Sequence, residues 1–224
     1  MTCAVYIHAT DVTICDNDIS SSTESGITVN GAGVKPTIYD CRIHNCAAWG
    51  VEARYGCEPF VHDNRISNNT QGGVLFNEAG GTLSNNGIFE NGPFGVKVSG
   101  AQVQPSTLTI DDNQIGNHHD AGVYVEVGAV NIQGNTIFSY MEMGDGIEIT
   151  GSGVAHVVGN TISNCGQNGI YLNYSETNPL SHIVGNTIRF NTFGIAGGMG
   201  CPLGIISSNI ILQNVQDITY IVPT

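Results

Sequence analysis

The stretch NTISNCGQNGIYL, residues 160–172, decides how this chain folds. Asn160 stands two residues before Ile162 and nine before Gly169-Ile170. The same arrangement returns along the chain. Asn17, Asn64, Asn86, Asn113, Asn135, Asn160, Asn186 and Asn209 each precede an Ile by two, and Cys41 fills the equivalent slot. The eight intervals average 24 residues. A Gly followed by Ile or Val trails in phase, at Gly26, Gly50, Gly73, Gly95, Gly122, Gly146, Gly169 and Gly194. Five of the first six offsets between the two features are nine residues, so both belong to one repeating unit.

A period of this length marks a stacked repeat. Each period holds three short apolar pieces; in the first full unit these are Val12-Thr13-Ile14, Asn17-Asp18-Ile19 and Gly26-Ile27-Thr28-Val29. Alternation within each piece turns one set of side chains inward, as a strand requires. Gly, Asn and β-branched residues crowd the units, and all are weak helix formers. Pieces this short bury little alone, but wound into a coil each pairs with its equivalent one turn above and below. The expectation is an all-β, single-stranded parallel β-helix of nine to ten coils, rising about 4.8 Å per coil. The repeated Asn is expected to take a left-handed corner and to bond from rung to rung as an amide ladder that Cys41 interrupts. The repeated Gly is expected to serve the next corner.

Composition narrows the function. The 224 residues carry 6 Lys+Arg against 19 Asp+Glu, a formal charge of −13. That balance removes the long-range attraction that phosphate backbones or anionic lipids need, so no nucleic acid partner is expected. No apolar run nears the roughly 18 residues of a membrane span, so no insertion is expected. No basic, apolar and small-residue segment opens the chain as a secretion signal would. The 7 Cys are odd in number and form no CxxC pair, which argues for core filling over a zinc site or a full disulfide set.

Residues 1–224 read as one domain. Ala4-Val5-Tyr6-Ile7 matches a Gly-Ile strand whose preceding half-coil is missing, and Gln216–Val222 matches one more degraded strand. Open coil ends expose unpaired backbone and apolar core. A piece of a longer solenoid or chain is therefore expected, with further coils or a partner subunit over the start.

The units EPFVHDNRISNNTQGGVLF (residues 58–76) and GTLSNNGIFENGPFGVKV (residues 81–98) resemble the right-handed β-helix repeats of carbohydrate-binding proteins and sugar hydrolases. They are similar to the β-helix of F-box-only adaptors, to microbial surface proteins and to mannuronan epimerases. The resemblance spans nearly the whole chain and implies a right-handed coil and an extracellular or cell-surface setting. Its motif is architectural, since such coils serve enzymes and non-enzymes alike. The Asp-Pro-His run of the epimerases is absent, as are the Asn-Thr-Asp, Gly-His-Gly and Arg-Ile-Lys tripeptides of the polygalacturonases.

Stacked coils turn equivalent positions into columns, so sites are read down the rungs. The outward residue after each Gly-Ile is Thr28, Glu52, Leu75, Lys97, Tyr124, Glu148 and Tyr171. Two residues on come Asn30, Arg54, Asn77, Ser99, Glu126, Thr150 and Asn173. Aromatic rings beside amides and charges suit sugars, with Glu52, Arg54, Asn77, Tyr124, Tyr171, Asn173 and His119 as candidate contacts. Glu126 with Glu148 could form a carboxylate pair for glycoside cleavage, and Lys97 with Tyr124 could move a proton as lyases do. Beside the strip, His118-His119-Asp120 and the longer corner carrying Glu142 and Asp145 offer oxygen and nitrogen ligands. Asp120, Glu142 and Asp145 are the candidate metal ligands, with Ca²⁺ possible and no cofactor required. A further column, Asp16, Asp40, Asp63, Asn85 and Asp112, reads as a solubilising acidic edge. Together these features favour a recognition domain for a polysaccharide, a glycan or a protein surface. A lyase, epimerase or glycoside hydrolase on the same strip and a structural segment of a surface protein are the alternatives.

Overall fold

The computed structural model describes residues 3–100, 108–140, 144–174, 181–198, 201 and 204–220. The three pieces of each repeat form three walls of a parallel β-helix. The first wall holds the Gly-Ile strands, from Val5–Ile7 and Ile27–Asn30 to Phe193–Gly197 and Gln216–Tyr220. The second runs from Thr13–Cys15 to Ile205–Ser207 and the third from Asp18–Ser20 to Ile210–Leu212. Successive rungs pair in parallel and in register, with Ile19 over Ile43, Ile43 over Ile66 and Ile66 over Ile88. The third wall is a sheet of nine rungs. The other two merge into one sheet, because Ala121–Gln133 and Asp145–Val158 run unbroken around the corner between them. The Gln216–Tyr220 strand pairs in parallel with Phe193–Gly197 as one more rung.

Inward residues of all three walls form one axial core of Ile, Val and Leu, with Phe76 fully buried among them. The Asn ladder runs unbroken from Asn64 to Asn209. From Asn64 to Asn186, Nδ2 donates to the next Asn Oδ1 and to the carbonyl two residues back. Asn113 donates to Asn135 Oδ1 at 3.0 Å and to Asp111 O at 2.9 Å, and it accepts from Asn86 Nδ2 at 3.0 Å. Cys41 keeps part of the pattern: its Sγ–H faces Tyr39 O at 3.2 Å and Ile14 O at 3.8 Å, the carbonyls an Asn amide would take. A thiol donates weakly and offers no carbonyl oxygen to the rung below. Cys41→Asn is therefore expected to raise stability by about 1 kcal/mol in a denaturant titration. An unchanged midpoint would show that the amide chain contributes nothing beyond its neighbours.

Two expectations are corrected. The left-handed corner residue is the one before the ladder Asn, with φ of 55° at Asp16, 49° at Asp40, 55° at Asp63 and 53° at Asp112. Asp, Asn and Gly tolerate that region. The ladder Asn follows the corner and points inward, which its buried amide requires. The repeated Gly is not a corner residue either. A Cβ on Gly73 would lie 2.6 Å from Ile88 Cγ2 and 2.6 Å from Gly95 O. Gly is needed there because the rung Ile of the next coil packs directly against its backbone.

A second inward column lies three residues after seven of the nine rung Ile: Cys46, Asn69, Asn91, His118, Cys165, Asn191 and Asn214; after Ile137 the place falls to the exposed Tyr140. Cys46 N donates to Asn69 Oδ1 at 3.0 Å, and Asn69 Nδ2 donates to Asn91 Oδ1 at 3.0 Å. His118 stands in this column with Nε2 3.2 Å from Ile88 O and Nδ1 3.4 Å from Asn91 O. Only Cys46 and Cys165 stand out as equivalent in the sequence; the amides that follow each of them, Asn69 with Asn91 and Asn191 with Asn214, do not. Burial raises the Cys57 thiol to about 11 and Cys165 to about 12, which keeps both protonated and unreactive.

Candidate functional site

The outward strip forms as the repeat requires. Glu52, Leu75 and Lys97 are register partners on neighbouring rungs of the first wall. Lys97 then pairs with Tyr124, Tyr124 with Glu148 and Glu148 with Tyr171. Arg54 lies beside Asn77, and Thr150 beside Asn173. Glu126 falls at a register shift between Val125 and Val127, which takes it out of the regular column.

The first half of the strip is covered. Glu52 is 5% exposed, and its carboxylate accepts from Ser25 Oγ at 2.8 Å and from Arg54 Nη2. Leu75 is buried with Trp49 and Ala48, with Phe94 packed against them. Lys97 opens the accessible part. Its Nζ sits 5.0 Å from the Phe94 ring centroid and 5.1 Å from that of Tyr124, a double cation–π contact. The Tyr124 hydroxyl lies 3.3 Å from Thr150 Oγ1.

Beyond Tyr124 the wall and its corner enclose a cleft of about 260 Å³. Glu148 and Tyr171 rise from its floor on adjacent rungs, and His119, Asp120, Gly144, Asp145 and Gln167 form its side. Gly144 holds the corner tight at φ 138°, where a Cβ would lie 3.0 Å from His119 O. Asp145 opens the next strand, its N–H donating to Asp120 O at 2.7 Å. Its Oδ1 accepts from Asn168 N at 3.0 Å and Nδ2 at 2.7 Å, which fixes the carboxylate.

The electrostatics follow from crowded carboxylates on a part-buried floor. Burial raises the Asp145 carboxyl to about 6, against the two hydrogen bonds from Asn168. Burial, then Asp145 and then Asp120, raise Glu148 to about 7. Burial and the neighbouring Glu148 also push the Tyr171 phenol up. A carboxyl titrating near neutrality in a cleft is one that can hold or release a proton during a reaction.

The cleft unites Tyr171, Glu148, His119, Asp120 and Asp145 from the sequence-derived candidates and leaves Glu52, Arg54 and Asn77 several rungs away. Gln167 is the residue that strand columns miss. It precedes Gly169 by two, as Gly144 precedes Gly146, so reading the corner column as well would have found it. Glu142 lies outside the described residues. Among the described residues, no three His, Cys, Asp or Glu side chains are grouped to hold a metal ion.

With this geometry in place, comparison with known proteins gives three findings. A family model described as right handed beta helix region matches residues 1–137. No curated protein matches the chain. A crystal structure of a double mutant of a periplasmic alginate epimerase superposes with a TM-score of 0.66 at 13% identity, over 93% of this chain and 50% of that one. The chain thus spans about half the length of that structure, and the likeness is one of fold.

Proposed function

We propose that this protein, which belongs to the right-handed beta-helix family, binds a carbohydrate chain along the first wall from Lys97 to Tyr171, with the cleft around Glu148 as a subsite. The observation that carries the reading is the cleft itself. An aromatic ring, an amide and oriented carboxylates converge on a rigid wall, and this is how sugar hydroxyls and apolar ring faces are recognised together. A wall of stacked rungs also presents contacts at regular intervals, which suits a repeating polymer. The likeness to an alginate epimerase supports a polysaccharide as the class of ligand. An extracellular or periplasmic setting fits the same reading. No helix among the described residues is long and apolar enough to cross a membrane.

Tyr171→Ala is expected to weaken glycan binding about tenfold, as loss of an aromatic stacking contact would. Glycan-array screening followed by calorimetry reads the change, with far-ultraviolet circular dichroism checking the fold. Undiminished affinity would remove the cleft from the binding surface.

Glu148 favours a second reading, acid–base chemistry on the bound sugar by a lyase, epimerase or glycoside hydrolase. Its carboxyl, raised to about 7, can exchange a proton near neutral pH. In that case Glu148→Gln abolishes product formation while leaving sugar affinity within a few-fold. Product formation by the variant would restrict the protein to binding.

A further inference from the structure

The charge of the cleft indicates which carbohydrate it takes, a step that rests on the carbohydrate reading above. Asp120, Asp145 and Glu148 present three carboxyl groups to it, and no Lys or Arg lines it. The strip's cation, Lys97, lies two rungs before Glu148 and stands over the Phe94 and Tyr124 rings. The whole chain adds a formal charge of −13. A uronate would bring a fourth acidic group into this set. A neutral sugar would desolvate the carboxylates with no opposite charge to compensate them. A positive group on the sugar does what neither can, because it relieves the mutual repulsion of the acids.

The lining is also arranged to receive one. Asp145 is 7% exposed, and its Oδ1 is held by two hydrogen bonds from Asn168, so its orientation is set before any ligand arrives. The Tyr171 ring, on the rung after Glu148, adds an aromatic surface that attracts cations as well as sugar faces. We propose that the cleft selects a carbohydrate bearing a protonated amine, an amino-sugar unit such as glucosamine, over uronate and N-acylated sugars.

This assignment has a signature that simple adhesion lacks. Burial and the neighbouring Asp145 and Asp120 hold the Glu148 proton in place up to about pH 7. A cation in the cleft opposes both causes, so binding at about pH 6 drives that proton off. Proton release is read from the dependence of the calorimetric binding enthalpy on the ionisation enthalpy of the buffer.

The test titrates the full chain at moderate salt with three short probes: a glucosamine oligomer, its N-acetylated counterpart and an oligouronate. The glucosamine oligomer is expected to bind at least about tenfold tighter than either of the others. Its binding should release more protons from the wild type than from Glu148→Gln, in which Asp145, raised to about 6, remains to titrate. Asp16→Asn with Asp40→Asn removes charge on a distant corner and is expected to leave affinity within about twofold. Equal or tighter binding of the N-acetylated or uronate probe overturns the amino-sugar assignment and leaves the carbohydrate reading standing. Proton release from Glu148→Gln equal to that of the wild type, or a loss of affinity beyond about twofold in the distant double variant, also overturns it. Absence of binding by all three probes, with glycan-array binding absent as well, removes the carbohydrate reading itself.

Discussion

Replacing Asn113 by Leu is expected to lower the unfolding free energy by about 4 kcal/mol, a large effect for one uncharged side chain. The side chains are close in size, so the loss comes from hydrogen bonding. Asn113 Nδ2 donates to Leu83 O at 2.9 Å, Asp111 O at 2.9 Å and Asn135 Oδ1 at 3.0 Å, and Oδ1 accepts from Asn86 N at 2.9 Å and Asn86 Nδ2 at 3.0 Å. Asn113 is 1% exposed, so water cannot replace these partners. Leu leaves several groups unpaired at once and splits the ladder into two shorter chains. Denaturant unfolding measures the loss, with Thr109→Ala on the outside of the second wall as a mild comparison. A cost below about 1 kcal/mol would mean that rung-to-rung amide bonding does not hold the coils in register.

The second large effect is acid sensitivity centred on His118. It is 2% exposed, and burial lowers its pKa to about 4, with the nearby His119 adding to the shift. In the unfolded chain the same ring titrates near 6.5, so between the two values the unfolded state binds more protons. The stability His118 contributes is therefore complete above about pH 6.5 and is lost as the pH falls through about 4, a loss of about 3 kcal/mol. Asp145 and Glu148 act with the opposite sign. Their folded pKa values are raised to about 6 and about 7, so what they contribute is present below their unfolded values and is lost as pH rises through the raised ones. His118→Asn puts an amide where Asn91 and Asn191 carry theirs and is expected to abolish the acid limb alone. Unfolding free energies measured from pH 7 down to about 3 make the comparison. Parallel curves for wild type and variant would show that the ring does not titrate as its burial requires.

Both effects arise in ladder columns, and the two columns differ in how clearly the sequence announces them. Asn before x-Ile recurs with one interruption, so the first ladder is written in plain repetition. The second column mixes Cys46, Asn69, Asn91, His118, Cys165, Asn191 and Asn214, residue types with little in common except an inward polar or polarisable tip. Those tips all meet the same feature, the bare Gly of the preceding coil. A Cβ on Gly50 would lie 2.8 Å from Asn69 Nδ2, and one on Gly95 would lie 2.8 Å from His118 Nε2. The Gly thus has two neighbours to accommodate, the rung Ile and this tip, and its place in the motif follows from that contact rather than from a turn.

The strip shows the same division. Periodicity places Lys97, Tyr124, Glu148 and Tyr171 on consecutive rungs, and in-register pairing delivers them there. Which of those positions is open to a ligand depends on what lies over them. Trp49 and Phe94 close over Leu75, and Ser25 with Arg54 occupies Glu52, contacts between residues from different coils and corners. The cleft likewise needs Gly144 at φ 138° to bring the His119-Asp120 corner alongside Asp145 and Gln167.

Repetition alone is enough to read the coil, its period, its parallel register and the membership of each outward column, because every rung satisfies its backbone through the equivalent residues one period away. The covering of particular rungs, the second inward column that binds the coils, and the meeting of Glu148 with Asp145, Asp120 and Gln167 in one cleft emerge from packing between coils. Those features depend on corners of unequal length, and the path of a corner is set by the side chains it packs against rather than by the repeat.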